Sequence, residues 1–488
     1  PRAMASAARL RAVSRDPEDG SLAPSLAQGA AARGRGGGFP LRPPACSFAA
    51  KALSILGLCC LGLLAVAWRA LLLLEGAEPG PRDALHFLWV SDCSEYQEWQ
   101  SLVLLWTIYR WQGRGTAVTR LISGCDSAQE AARRRVHSLL FPGGGGQAAP
   151  QFFFAPAYVR HEALNDTYPP YNRPHSVRLW AETNPLDPET WVVLLDPDML
   201  MLAPLELPVA GQAPRAPVLY GGRRPLREAR ALPALGQRYA YLGKRWAAAG
   251  LRLGEICEAW AEGCLRLDGA AVAEDFSVGP PWVARFRDLR RAAPLWHAYA
   301  PRVRRQYREL VAEMYAYALA FASIGVRHAL FDHFVVSYPS APKGEQAWAW
   351  VDGAHEEDDP CAAGGLPLGA RRPTFLHYCE IYFAGDWYFR KRQVPSDLML
   401  SCEAPLLAEP PRDLLRRRRA ERAGDASDWA RSAERQAWFL CAALPAINRA
   451  LQALRGPLCP GGANVSRELR IRPPRDAFTE ALQDFFRN

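Results

Sequence analysis

The amino-acid sequence predicts an α/β protein with a parallel sheet, carried behind one N-terminal membrane span. Three observations support that reading. Short apolar runs alternate with stretches of helical periodicity from residue 85 onward. Residues 49–74 form one nearly unbroken apolar segment, long enough to cross a bilayer as a helix. The chain of 488 residues is 49% hydrophobic and 10% aromatic, so it can bury a large core, in one domain or two.

Residues 1–48 are rich in Ala, Gly, Pro, Ser and Arg and read as a disordered cytosolic tail. Lys51 opens the apolar span of residues 49–74, and Arg69 lies near its end, within snorkelling reach of the interface. The leader is too long for a cleaved signal peptide. Arg33, Arg35, Arg42 and Lys51 precede or open the span, whereas Glu75, Glu78 and Asp83 offset Arg82 after it. The positive-inside rule then leaves the N-terminus cytosolic and the bulk of the chain lumenal, as a single-pass type II protein.

Of the twelve cysteines, Cys46, Cys59 and Cys60 lie in or beside the span, which leaves nine for disulfides in an oxidising compartment. Asn165-Asp166-Thr167 and Asn464-Val465-Ser466 are glycosylation acceptors that fit a lumenal side. No Cys-x-x-Cys occurs, so neither a zinc site nor a thioredoxin-like redox motif is indicated. The net charge of +9 is modest, and the arginines are scattered without a nucleic-acid-binding motif, which argues against a nucleic-acid partner.

After a stem at residues 75–83, the elements follow in order. Residues 85–90 make a buried first strand ending in Ser91-Asp92-Cys93. A helix begins at Glu95, where Tyr96, Trp99, Val103 and Trp106 recur on one face as core residues. Residues 117–122 give a second strand, 127–140 a second helix and 151–154 a third strand. Gly143 to Gly146 form a loop and not a phosphate cradle, because no Lys-Ser or Lys-Thr follows. A helix opens around Tyr171-Asn172-Arg173-Pro174-His175, and its start could bring Arg173 to the phosphates of a ligand. Strands alternating with helices give a parallel sheet with at least one Rossmann-like half.

The fourth strand carries the most informative motif. Val192 to Leu195 are apolar and partly β-branched, and the run ends in Asp196-Pro197-Asp198. Pro197 has no N–H for a ladder, so pairing stops there. Two carboxylates at the carboxyl end of a buried strand face the crevice where open α/β sheets bind ligands. They suit a hard divalent cation that also bridges a diphosphate. The same letters also fit a haloacid-dehalogenase-type phosphatase with Asp196 as nucleophile. That motif wants Thr or Val where this chain has Leu200, and it usually opens its domain.

Further on, Glu313 lies in an apolar helix and either pairs structurally or faces the cleft. Residues 356–359 read as a solvated acidic loop and Arg416 to Arg419 as a solvated helix face. A strand from Thr374 ends at His377, followed by an aromatic turn, Asp386-Trp387 and Lys391. Imidazole on a metal and ammonium on a diphosphate are jointly expected there.

The chain resembles the plant and algal hydroxyproline O-arabinosyltransferases and their relatives, the peptidyl-serine α-galactosyltransferases. The resemblance rests on Ser91-Asp92-Cys93-Ser94-Glu95-Tyr96, Asn172-Arg173-Pro174, Leu195-Asp196-Pro197-Asp198, Glu313-Met314-Tyr315-Ala316-Tyr317, Leu376-His377-Tyr378-Cys379, Gly385-Asp386-Trp387, Leu400-Ser401-Cys402-Glu403, Ala437-Trp438-Phe439-Leu440-Cys441 and Cys459-Pro460-Gly461-Gly462-Ala463-Asn464, in the family's order. It implies a GT-A-like glycosyltransferase domain at 84–410, a C-terminal helical extension at 411–488, and a place in the Golgi or endoplasmic-reticulum membrane. It also implies a UDP-sugar donor, Mn²⁺, and hydroxyproline or serine of a secreted or cell-wall protein as acceptor.

By the same resemblance Asp196, Asp198 and His377 are metal ligands, Lys391 a diphosphate contact, and Asp92 lies near the nucleotide. The resemblance also implies retention of anomeric configuration. Asp275 and Glu313 are the candidate catalytic carboxylates, with Glu313 favoured in the acceptor site of a same-face route. The tract of residues 203–294, rich in Ala, Arg and Pro, does not align. A Golgi protein that kept the fold and lost turnover is a further alternative, against which the unbroken metal triad speaks. The compact segments flanked by cysteines suggest the disulfides Cys379–Cys402 and Cys441–Cys459, with Cys93–Cys125 at the first two strand ends.

Overall fold

The structure is a computed structural model describing residues 85–142, 148–207, 219–221, 233–342, 345–353, 356–366, 371–422 and 427–472. They fall within one compact unit, Pro81–Asn488. The tail, the expected membrane span, the stem and the Gly143 to Gly146 loop lie outside the described residues.

The N-terminal half follows the alternation of its sequence. Strands β1 (Leu85–Asp92), β2 (Ala117–Ser123) and β3 (Gln151–Ala155) are separated by helices α1 (Glu95–Trp111) and α2 (Ser127–Leu140). Ser94 caps α1 by accepting the Gln97 N–H, and Asp126 with Gln129 forms a capping box on α2. Helix α3 (Asn172–Thr183) leads into β4 (Trp191–Leu195), and β5 (Met199–Met201) follows directly. Then come β6 (Ala234–Arg238), β7 (Val278–Arg285), α4 (Phe286–Gln306), α5 (Ala312–Ser323), β8 (His328–Phe331), β9 (Val335–Val336) and β10 (Phe375–His377). A hairpin of β11 (Tyr382–Ala384) and β12 (Trp387–Phe389) precedes helices α6 (Leu414–Arg422) and α7 (Asp428–Leu458).

The seven-stranded sheet has the order β8-β6-β7-β4-β1-β2-β3. Strands β4, β1, β2 and β3 are mutually parallel, as the alternation of strands and helices predicts. Strand β7 corrects the all-parallel expectation, because it runs antiparallel to both β4 and β6 and makes the sheet mixed. Its Pro280-Pro281 pair hides it from a strand pattern. The close approach of β6 and β7 requires Gly236, where a Cβ would meet Val278 Cγ2 at 2.1 Å.

Side chains of β1 alternate between two cores. Phe87 and Trp89 pack toward α1 and α7, and Leu88 and Val90 toward α3, α4 and α5. The sheet is thus covered on both faces. A second, three-stranded sheet, β9-β10-β5, lies in the first of these cores. By length and composition α7 could cross a membrane, but 83% of its apolar window is buried inside the protein, so it is a core helix. Among the acidic residues 356–359, Asp359 is no solvated loop residue. It is buried and caps a short helix, accepting the Cys361 N–H at 2.7 Å.

Among the described residues four disulfides join Cys93–Cys125, Cys257–Cys264, Cys361–Cys441 and Cys402–Cys459. The first is the pairing expected at the strand ends. Two other expectations are overturned. Cys441 lies within α7 and Cys459 caps its end, so 18 positions of helix (441 to 459) hold them about 27 Å apart, far beyond bonding reach. Cys379 does not pair with Cys402; it is a free thiol just beyond β10.

Candidate active site

Strand β1 has β2 on one side and β4 on the other, so their carboxyl ends flank a topological switch point. Asp92 ends β1, and Asp196 follows β4. Beyond Asp196 the chain leaves the large sheet, and β5 pairs antiparallel with β10, placing Met199 opposite His377. The Tyr378 N–H donates to the Asp198 carbonyl at 3.1 Å, and the Leu202 N–H to the Thr374 carbonyl at 2.8 Å. This ladder brings His377 to the Asp-Pro-Asp turn from 179 residues away.

The three side chains converge. Ligand atoms of Asp196, Asp198 and His377 all lie within 4.8 Å of one another, and all three residues are buried. His377 Nε2 is 3.1 Å from Asp198 Oδ1 and 3.7 Å from Asp196 Oδ2. The Tyr382 hydroxyl donates to the His377 carbonyl at 2.9 Å, which fixes the strand end. Two carboxylates and one imidazole are a donor set suited to a hard-to-borderline divalent cation.

Two protein cations face the carboxylates. Lys391, in the turn after β12, pairs with Asp198 Oδ2. Arg173, in the first turn of α3, pairs with Asp196 Oδ1 through one arm and with Glu313 Oε1 at 2.6 Å through the other. Its guanidinium lies 5.2 Å from the Trp282 ring centroid. Glu313 opens α5, where its N–H donates to the Tyr168 hydroxyl at 3.2 Å and its carbonyl accepts from Trp296 Nε1 at 2.8 Å. Its Oε2 is buried without a hydrogen-bond partner.

Charges in the cluster reinforce one another. Burial alone would raise the Asp198 carboxyl, but Lys391 and His377 hold it well below the usual carboxylate range. Burial opposes charge on His377, yet Cys379 and Asp198 lift it to about 10. Lys391 is likewise disfavoured by burial and raised by Asp198 to about 12. Burial pushes the Glu313 carboxyl up, with Arg173 opposing.

The other expected residues sit as follows. Asp92 is committed to its own loop, accepting the Ser94 N–H at 2.9 Å, while its N–H donates to Gln97 Oε1 at 2.7 Å. Arg173, expected to face phosphates, is held by two carboxylates instead. Asp275 lies buried in the Val272–Phe276 turn before β7. Because β7 is antiparallel to β4, that turn falls at the same sheet edge as Asp196. Sequence reasoning missed Tyr168 and Trp296, which hold the Glu313 backbone, and Trp282 beneath Arg173. None of them stands in a motif, and Trp282 falls in the unaligned tract.

Fold and geometry thus define a class: an α/β protein whose sheet switch point gathers two carboxylates and an imidazole beside two basic side chains. The comparisons with known proteins narrow it. No family model matches the chain. It is 24% identical over 338 residues to a peptidyl serine alpha-galactosyltransferase of Arabidopsis thaliana, covering 67% of this chain and 34% of that protein. It is 29% identical over 148 residues to the protein of that name from Chlamydomonas reinhardtii, covering 30% of this chain and 18% of the relative. These relatives fit the resemblance carried by the motifs, and the chain spans about a third of the length of the plant protein.

Among solved structures, the galactosyltransferase LgtC with donor and acceptor sugar analogues has a TM-score of 0.33 at 12% identity, covering 60% of this chain and 87% of that one. Mouse xyloside xylosyltransferase 1 has a TM-score of 0.27 at 10% identity, covering 60% and 96%. All of these named relatives and neighbours are glycosyltransferases.

Proposed function

We propose that the chain is a retaining, divalent-cation-dependent glycosyltransferase of GT-A type that moves a sugar from a UDP-sugar to a hydroxyl of a secreted or cell-wall protein. The observation that carries this reading is the convergence of Asp196, Asp198 and His377 beside Lys391 at the sheet switch point. Asp196, Asp198 and His377 would hold the cation, Mn²⁺ being the expected ion, and it would stabilise negative charge on the departing diphosphate. Lys391, paired with Asp198, would meet the same charge. Arg173 links Asp196 to Glu313, and Glu313 would be the carboxylate that serves acceptor binding.

The name of the curated relatives favours serine as acceptor and galactose as sugar. A UDP-hexose is itself α-linked, so an α-linked product means retention. Hydroxyproline with an arabinosyl donor is the second reading, favoured by the motif series from Ser91 to Asn464. Four disulfides among the described residues support an oxidising endomembrane lumen, in the Golgi or endoplasmic reticulum. The test is turnover by purified protein with UDP-galactose or UDP-arabinofuranose, Mn²⁺, and serine or hydroxyproline peptides. Transfer to a peptide, abolished by chelation and in Asp198→Asn, supports the reading; transfer unaffected by chelation overturns it.

A further inference from the structure

Each carboxylate of the Asp-Pro-Asp turn has one oxygen facing His377 and the other taken by a tethered protein cation. Asp198 presents Oδ1 to His377 and Oδ2 to Lys391; Asp196 presents Oδ2 to His377 and Oδ1 to Arg173. Both cations are largely buried, with side-chain exposures of 18%. We propose that Lys391 and Arg173 are resident counter-cations that exclude a bare divalent ion, so that the ion enters only together with a diphosphate that draws them off. This rests on the metal-and-diphosphate reading above and adds to it the order and coupling of binding.

Asp196, Asp198 and Glu313 bring three negative charges, and Arg173 and Lys391 bring two positive ones. With His377 neutral, as ligation requires, the ligating set totals −1 by formal charge before the ion is counted. A bare divalent ion would turn this buried cluster to +1 and sit against an ammonium and a guanidinium, where like charges repel strongly because water is scarce. A divalent ion paired with a doubly charged diphosphate adds no net charge. The diphosphate oxygens also offer Lys391 and Arg173 replacement partners within the same space, and Arg in particular binds phosphate through paired N–H groups. Lys391 has a flexible stem and follows a short hairpin, so it can turn from Asp198 without moving the strands. Arg173 also has Glu313, which keeps it paired when it releases Asp196.

The consequence has an unusual sign: removing a basic residue from the site should improve binding of the bare metal ion. The experiment titrates Mn²⁺ into the purified protein, following free Mn²⁺ by electron paramagnetic resonance, with and without UDP. In the wild type, UDP should tighten Mn²⁺ binding by about tenfold or more. In Lys391→Met, bare Mn²⁺ should bind about tenfold more tightly than in the wild type, and the effect of UDP should shrink to about threefold or less. Lys391→Arg keeps the charge and should keep the wild-type coupling; near-ultraviolet circular dichroism confirms that each variant is folded. The proposal is overturned if Lys391→Met binds bare Mn²⁺ no better than the wild type, or if UDP leaves the wild-type affinity unchanged. Asp198→Asn separates this failure from that of the underlying reading. If it binds Mn²⁺ like the wild type, the ion is not at this site at all.

Discussion

Replacing Arg173 with methionine is the perturbation whose size the structure sets most clearly. The guanidinium bridges Asp196 and Glu313, whose side chains are 12% and 5% exposed, and is itself 18% exposed. Removing one partner of a buried ion pair generally costs 3–5 kcal/mol. A value near the low end, about 3 kcal/mol, is expected because Glu313 can take a proton and because Arg173 keeps some contact with water. The pH dependence follows with a definite sign. Burial already raises the Glu313 carboxyl in the folded state, and the loss of Arg173 raises it further. Above the unfolded carboxylate range the native state of the variant then binds the extra proton, so its stability falls as pH rises and its deficit narrows toward pH 5. The double variant with Glu313→Gln removes the orphaned charge and should recover at least about 1 kcal/mol relative to additivity. Urea unfolding followed by tryptophan fluorescence measures all three quantities. A wild-type midpoint in Arg173→Met, or strict additivity in the double variant, refutes the bridging role.

Other consequences are checked more simply. Cys402→Ser opens a loop of sequence separation 57 and should cost about 4 kcal/mol by chain entropy; peptide mapping without reduction should recover Cys361–Cys441 and Cys402–Cys459 and leave Cys379 alkylated. Burial lowers His86 and His333 to about 4 and His328 to about 3, from an ordinary value of 6.5. Between pH 6.5 and 4 the unfolded chain therefore binds protons that the native protein refuses, so stability falls as pH falls through that window, by more than about 1 kcal/mol in all. An unfolding midpoint equal at pH 7 and pH 5 would contradict this. Asp198→Asn should lower sugar transfer at least about a hundredfold with an unchanged circular dichroism spectrum, as a rate assay under limiting Mn²⁺ will show.

Much of the N-terminal half was legible because its signals are local. The helix Ser127–Leu140 carries its capping box in its own first turn, and β4 is an apolar run stopped by Pro197. Asp196, Asp198, His377 and Lys391 could be singled out from strand ends and motif order. What brings them together could not, because the β5–β10 ladder joins two three-residue strands with no periodicity of their own. The direction of β7 was hidden by its prolines. The disulfides went astray for a related reason: compact spacing suggested Cys441–Cys459, and only the unbroken helix between them forbids it. The role of Arg173 also depends on distance in sequence, since Glu313 lies 140 residues away. A helix-start arginine looks phosphate-facing until the partner that claims it is known.

The central claim is that Asp196, Asp198 and His377 together hold the divalent ion that serves a UDP-sugar. A crystal structure of the protein grown with Mn²⁺ and UDP, with anomalous scattering recorded at the manganese edge, tests it most directly. One strong anomalous peak is expected within coordination distance of Asp196, Asp198 and His377 Nε2, with the diphosphate on the same ion and Lys391 turned onto its oxygens. A manganese peak elsewhere, or UDP bound with Lys391 still on Asp198 and no ion at the triad, would contradict it.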